Sequence, residues 1–284
     1  MSVIKHSELI INPDGSVYHL NLLPGELAQT IITVGDPDRV ARISQHFERV
    51  EVKKQKREFV THTGYYKGKR LSVIGTGVGT DNMDIVMNEV DALFNVNFET
   101  RTIKDQLTSL QFIRIGTSGS MRREVEVDSI VCSTHAIGLD GMMHAYNYTD
   151  PTGLTSAFLD FCEDKVKLSI RPYAAPAKPF ISTSDWQSGI TLTCSGFYGP
   201  QYRKIRLQPA EPEFLSTIRD FQFDGSQITN IEMESAALFG MSHLLGHAAM
   251  SVNAILANRQ TGTFSEDTKA PVDRLIMEVL ERVV

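Results

Sequence analysis

Only three cysteines, Cys132, Cys162 and Cys194, and a single tryptophan occur in the 284 residues. An odd cysteine count at wide spacings carries neither a disulfide framework nor a zinc-ligand pattern, so a reducing compartment, the cytoplasm, is the expected location. Basic residues are also in deficit, since 28 Lys and Arg against 34 Asp and Glu leave a net charge of -6. That balance argues against a nucleic-acid binder, which presents a basic face. An anionic ligand would instead need arginines placed locally. Long apolar runs are missing too, and Met1 to His6 lacks the apolar stretch of a signal peptide, so neither membrane insertion nor secretion is expected. With no internal repeat, low-complexity tract or linker-like stretch, residues 1–284 read as a single domain.

What the chain does have is a recurring strand–turn–helix pattern. Ala28 to Val34 reads as a buried strand ended by Gly35, with Asp36 as N-cap and Pro37 in the first turn of a helix reaching Phe47. Arg70 to Gly75 repeats the strand, and Ile85, Val86, Val90, Leu93 and Phe94 mark the helix after it. Leu110 to Ile115, Ser129 to Cys132 and Ala249 to Ala257 are further strand candidates. Thr155 to Leu168, Asn230 to His247 and Val272 to Val283 read as helices. The expected fold is one three-layer α/β/α domain around a central mixed β-sheet.

Four short segments carry chemistry. Gly35-Asp36-Pro37-Asp38-Arg39 joins a close-approach glycine to a helix N-terminus and a guanidinium, which suits phosphate, although a capped helix with a surface arginine has the same sequence. Arg114, at the inner end of an apolar strand before Gly116-Thr117-Ser118-Gly119, is costly unless paired, which makes it a second anion-binding candidate. In Asn230-Ile231-Glu232-Met233-Glu234-Ser235 one of the two carboxylates can accept from vicinal ribose hydroxyls, or both can stabilise a solvated helix start. Phe197-Tyr198-Gly199-Pro200-Gln201-Tyr202-Arg203 offers a ring for stacking, an amide and a cation, a match for the carbonyl–NH–carbonyl edge of uracil or else a decorated surface turn.

Other signals fail on inspection. Gly75-Thr76-Gly77-Val78-Gly79 places its third glycine too early for a dinucleotide fingerprint. Gly116-Thr117-Ser118-Gly119-Ser120 ends in serine where a nucleophile elbow needs glycine. His243 and His247 have metal-ligand spacing, but Leu244 replaces the glutamate of the helical zinc motif, and Gly246 suggests a helix end.

Taken in order, the segments from His19 to Arg259 resemble the nucleoside phosphorylase family, which splits nucleosides with inorganic phosphate. The resemblance implies that Gly35, Arg39, Arg114 and Thr117 bind phosphate and that Met233 and Glu234 bind ribose. Phe197, Gln201 and Arg203 match the base loop of the branch acting on uridine, with Arg259 supporting Arg203; the purine branch has a Ser-Asp pair where Asn258-Arg259 stands. It further implies at least a homodimer, compatible with a hexamer of three dimers, in which His19 completes the neighbour's ribose site and Arg57 its phosphate site. Glu58 matches a position that binds a monovalent cation such as potassium in some members. Phosphate is then the co-substrate, and no redox or organic cofactor is expected. Departures are Thr80-Asp81-Asn82 after Gly79, the Met142 to Pro151 loop with Tyr146 and Tyr148, and Ser118 in place of threonine. The expected reaction is reversible phosphorolysis of uridine to uracil and ribose 1-phosphate, with Arg39, Arg114, Glu234, Gln201 and Arg203 as its working groups. The alternatives are a purine nucleoside phosphorylase, a hydrolytic nucleosidase and a nucleoside-binding sensor.

Overall fold

The structure, a computed structural model, describes residues 3–284. Strand β1 (Thr30–Val34) is buried throughout, as its β-branched run dictates. Helix α1 (Pro37–Ser44) begins with the expected cap, the Asp36 side chain accepting from the Asp38 amide. A hairpin of β2 (Arg49–Lys56) and β3 (Phe59–Tyr66) leads to β4 (Lys69–Gly75), which lies parallel to β1. After α2 (Thr80–Asn95), β5 (Val96–Asn97) and β6 (Thr102–Ile103) form a small separate pair. The second half comprises β7 (Gln111–Ser120), β8 (Ile130–Leu139), α3 (Leu154–Cys162), β9 (Tyr173–Pro176), β10 (Gln187–Cys194), α4 (Phe214–Ile218) and β11 (Gln222–Phe223). It ends with β12 (Ser226–Glu232), α5 (Ser235–Leu245), β13 (Ala248–Asn258), β14 (Thr263–Phe264) and α6 (Lys269–Arg282).

Twelve strands among the described residues join in one mixed sheet, ordered β11-β12-β10-β8-β13-β7-β1-β4-β3-β2 with β9 and β14 beside β8 and β13. Side-chain alternation along its central strands explains the layers. Ile31 of β1 and Phe112 of β7 face one core with α2 and α5; Ile32, Val34, Ile113 and Ile115 face another with α1 and α6. The sheet is thus covered by helices on both faces, as expected. It also closes locally, because β12 pairs antiparallel with β7, placing Asn230 opposite Ser120 and Ile231 opposite Gly119. That closure brings the carboxyl ends of two strands together.

Three expectations need correcting. Asn230 to His247 is not one helix: its first three residues finish β12, buried between β10 and β7. The Glu232 carboxylate then accepts from the amides of Glu234 and Ser235 and fixes the helix start at Ser235. The helix expected over Thr155 to Leu168 stops at Cys162. Finally, the strand expected over Leu110 to Ile115 does not stop there, since β7 runs on through Gly116 to Ser120 in register with β13.

Candidate active site

A cavity of about 390 Å³ opens at the carboxyl ends of β1, β7, β12 and β13, walled by the loop after β10. A groove of about 450 Å³ elsewhere is lined by Trp186 and Arg282. Its polar groups satisfy one another, Trp186 Nε1 donating to Glu278 at 2.6 Å and Arg282 pairing with Asp185 at 3.1 Å, which leaves the first cavity as the candidate site. Gly35, Arg39, Arg114, Thr117, Phe197, Gln201, Arg203, Met233 and Glu234 all line that cavity, although they come from positions spread over the whole fold.

Arg114 projects from β7 and is buried at 5 % exposure. Its Nη1 donates to Asn253 Oδ1 at 2.8 Å, while Nη2 pairs with Glu234 and lies 3.4 Å from Glu232. Burial opposes its charge, but Glu234 and Glu232 outweigh burial and hold the guanidinium above its ordinary pKa. Glu234 itself is raised from the carboxylate range, first by burial and then by Glu232, with Arg114 and the Gly79 amide acting in the opposite sense. The Gly79 N–H donates to Glu234 at 2.7 Å, so this carboxylate sits at the start of α2, where negative charge is favoured. At the departure after Gly79, the loop amide therefore serves Glu234.

Arg39 reaches the cavity from α1 and donates from Nη1 to the Ile115 carbonyl at 3.1 Å. Its Nε is buried without a partner among the described residues. Burial, reinforced by Arg114 and opposed by Asp36, lowers its pKa to about 10, which leaves it charged at neutral pH. An unpartnered buried N–H beside a second cation is the local chemistry that an anion corrects.

The base-loop residues form a compact unit. Arg203 Nη1 donates to Gln201 Oε1 and, at 2.7 Å, to the Phe197 carbonyl, and its guanidinium lies 3.8 Å from the Phe197 ring centroid. Because a guanidinium only donates, the Gln201 oxygen must face it, leaving the amide NH₂ to donate elsewhere. Arg203 thus covers one face of the ring expected to stack on a base. Burial, and then Arg259, lower the Arg203 pKa to about 10. Arg259 lies behind the loop and donates from both terminal nitrogens to the Gln201 carbonyl at 3.2 Å.

Arg259, His19, Arg57 and Glu58 are not among the residues lining the cavity. The backbone amide and Nδ1 of His19 are held by Glu89, at 2.9 and 2.7 Å. Arg57 occupies the β2–β3 turn at φ 53°, its guanidinium 5.5 Å from the Tyr18 ring. Sequence reasoning missed Gly116, Ser251 and Asn253. The Ser251 hydroxyl lies 2.8 Å from that of Ser235 and accepts from Asn253, linking the helix start to the partner of Arg114. The signal available was a polar pair inside the apolar strand Ala249 to Ala257, which is expensive unless satisfied.

A mixed sheet covered by helices, whose strand ends gather two arginines and a buried carboxylate around one cavity, is the architecture of an α/β enzyme. The model of the phosphorylase superfamily matches residues 29–284, and the chain belongs to that superfamily as a pentosyltransferase enzyme. Uridine phosphorylase from Thermococcus kodakarensis is 28% identical over 255 residues, covering 89% of this chain and 81% of that one. A DeoD-type purine nucleoside phosphorylase from Shewanella amazonensis is 25% identical over 269 residues, covering 94% of this chain and 98% of its own. The crystal structure of a Trypanosoma brucei nucleoside phosphorylase with uridine phosphorylase activity superposes with a TM-score of 0.86 at 28% identity, covering 96% of this chain and 98% of that one.

Proposed function

We propose that the protein catalyses reversible phosphorolysis of uridine, transferring the ribosyl group from N1 of the base to a phosphate oxygen. The observation that carries this reading is the Arg203–Gln201 pair, backed by Arg259, in one cavity with Arg39, Arg114 and Glu234. Uracil presents two carbonyls flanking an N–H; the Gln201 NH₂ and the free N–H groups of Arg203 donate to the carbonyls, while the Gln201 oxygen accepts from the N–H. The uridine-acting relatives support this choice over the purine-acting one, as does Arg259 in place of an acid.

In the reaction, Arg39, Arg114 and Thr117 hold phosphate against the sugar, and Glu234 accepts from the ribose hydroxyls while Met233 packs against it. The C1′–N1 bond loosens, positive charge grows on the sugar ring, and phosphate oxygen closes on C1′. The leaving pyrimidine anion is stabilised by the donors of Gln201 and Arg203. A second copy of the chain supplies His19 to the ribose and Arg57 to the phosphate, the dimer being the smallest complete unit. Glu58 takes a monovalent cation, and no redox or organic cofactor enters.

The test is the ultraviolet change when purified protein meets uridine, thymidine or inosine, with and without phosphate. Uracil release that requires phosphate supports the reading. Hypoxanthine release from inosine in its place would move the protein to the purine branch, and cleavage without phosphate would make it a hydrolase.

A further inference from the structure

Tyr202 lies between the two residues that read the base, yet its own side chain turns into the core. It sits at φ 57° and ψ 31°, left-handed backbone that bulky L-residues rarely adopt, as C-cap of the short 3₁₀ turn Gly199–Gln201. Its amide donates to the Gly199 carbonyl at 2.8 Å, and the Arg203 amide donates to the Tyr198 carbonyl at 2.8 Å, so the turn is closed on both sides of it. The ring stacks on Phe214 of α4 with centroids 4.2 Å apart and planes within 14°. Phe214 is fully buried in the core that packs α3 and α4 against β10 and β12. Glycine would satisfy this backbone with less strain, so tyrosine here is accounted for by its ring.

We propose that Tyr202 is a positioning residue for base recognition: its stack on Phe214 pins the left-handed turn that aims both Gln201 and Arg203 into the cavity. Without the ring, the turn keeps the buried Gln201 and Arg259 at its carbonyl, but the Arg203 guanidinium loses the fixed origin from which it reaches Gln201 Oε1 and the Phe197 carbonyl. The phosphate groups Arg39 and Arg114 stand on α1 and β7, separate elements that the change does not touch.

Two substitutions separate ring from backbone. Tyr202→Phe keeps both stack and chain geometry, and Tyr202→Gly keeps only the left-handed backbone. The kinetic arm rests on the uridine reading; hydrogen exchange of the peptide spanning residues 197–207 does not. Tyr202→Gly is expected to speed exchange in that peptide about tenfold, the scale on which an aromatic pair acts, with Tyr202→Phe at the wild-type rate. In turnover, Tyr202→Gly raises KM for uridine about tenfold with KM for phosphate within about twofold, and Tyr202→Phe restores it. Wild-type exchange in the glycine variant overturns the proposal, and so does loss of uridine and phosphate KM together. A wild-type protein that leaves uridine intact refutes the substrate reading instead, while exchange still decides the role of Tyr202.

Discussion

Gly116 is the position at which the site is most open to refutation by one methyl group. A Cβ built there would lie 1.8 Å from Arg114 Nη1, 2.7 Å from its Cζ and 2.4 Å from Asn253 Oδ1. The guanidinium therefore folds back over the backbone of its own strand, and only a missing side chain permits it. In Gly116→Ala something must move, and the guanidinium is the far end of a flexible chain. Moving it breaks the bond to Asn253 and the ion pair to Glu234, both buried. Disrupting a buried pair costs about 3 kcal/mol or more. Expressed in the transition state, that is a loss of about 10² or more in kcat/KM. The assay is steady-state phosphorolysis at varied phosphate and nucleoside, run in wild type, Gly116→Ala, Arg114→Ala and the double variant. Because most of the methyl's effect passes through Arg114, with Asn253 Oδ1 at 2.4 Å the contact that remains, it should cost far less once Arg114 is alanine than in the wild type, a non-additive cycle. A full additional loss in the double variant, or wild-type kcat/KM in Gly116→Ala, would refute the reasoning.

Arg203→Ala removes a charge-assisted donor from the leaving base and should lower kcat/KM for uridine by about 10² to 10³, with KM for phosphate within about twofold; equal damage to both would break the division of the cavity. Since burial brings the pKa values of both Arg203 and Arg39 down to about 10, both guanidiniums are charged below that pH and lose their charge above it, so a profile of kcat/KM should fall as pH rises through about 10. Phosphate at about 100 times its Kd should stabilise the wild type by about 2.7 kcal/mol, read as a rise in Tm. In Arg39→Met that rise should vanish, because the buried Nε and its charge are gone; an undiminished shift would place phosphate elsewhere.

The elements legible in sequence were those whose signal is local. Asp36-Pro37 announced α1, and the apolar run Thr30 to Val34 announced β1, because cap chemistry and continuous burial are properties of neighbouring residues. The β2–β3 hairpin escaped notice because β2 lies at the sheet edge, and RVEVKKQK alternates exposed with half-buried positions that carry little apolar contrast. The end of β12 was mistaken for helix because its strand character depends on β10 and β7, segments far away in sequence. The site shows the same division. Arg114 could be suspected as a cation in an apolar strand, but its link through Asn253 and Ser251 to Ser235 exists only once β13 lies beside β7.

The residue types of Glu232-Met233-Glu234 alone leave open which glutamate would face the proposed sugar, and counting acceptor sites favours Glu234, the one the resemblance implies. The two oxygens of Glu232 accept from Thr193 Oγ1 at 2.6 Å, Glu234 N at 3.0 Å, Ser235 N at 3.0 Å and Ser235 Oγ at 3.0 Å. A carboxylate offers about four lone-pair sites, so Glu232 is saturated by the protein. Glu234 accepts from the Gly79 amide and Arg114, which leaves about two sites for a pair of vicinal hydroxyls. The isosteric amides should then fail differently. In Glu232→Gln the amides of Glu234 and Ser235, which only donate, keep the remaining oxygen, and the NH₂ falls towards Thr193 Oγ1, whose proton loses its buried acceptor at about 1–3 kcal/mol, so its Tm should fall while the folded fraction keeps most of its turnover. Glu234→Gln should keep more of its Tm, because Arg114 retains Glu232 at 3.4 Å, yet lose kcat/KM by about 10² as the sugar loses a charged acceptor beside the developing cation. If Glu232→Gln proved the catalytically dead variant and Glu234→Gln the unstable one, the two carboxylates would have exchanged roles, and the ribose would belong on the other side of Met233.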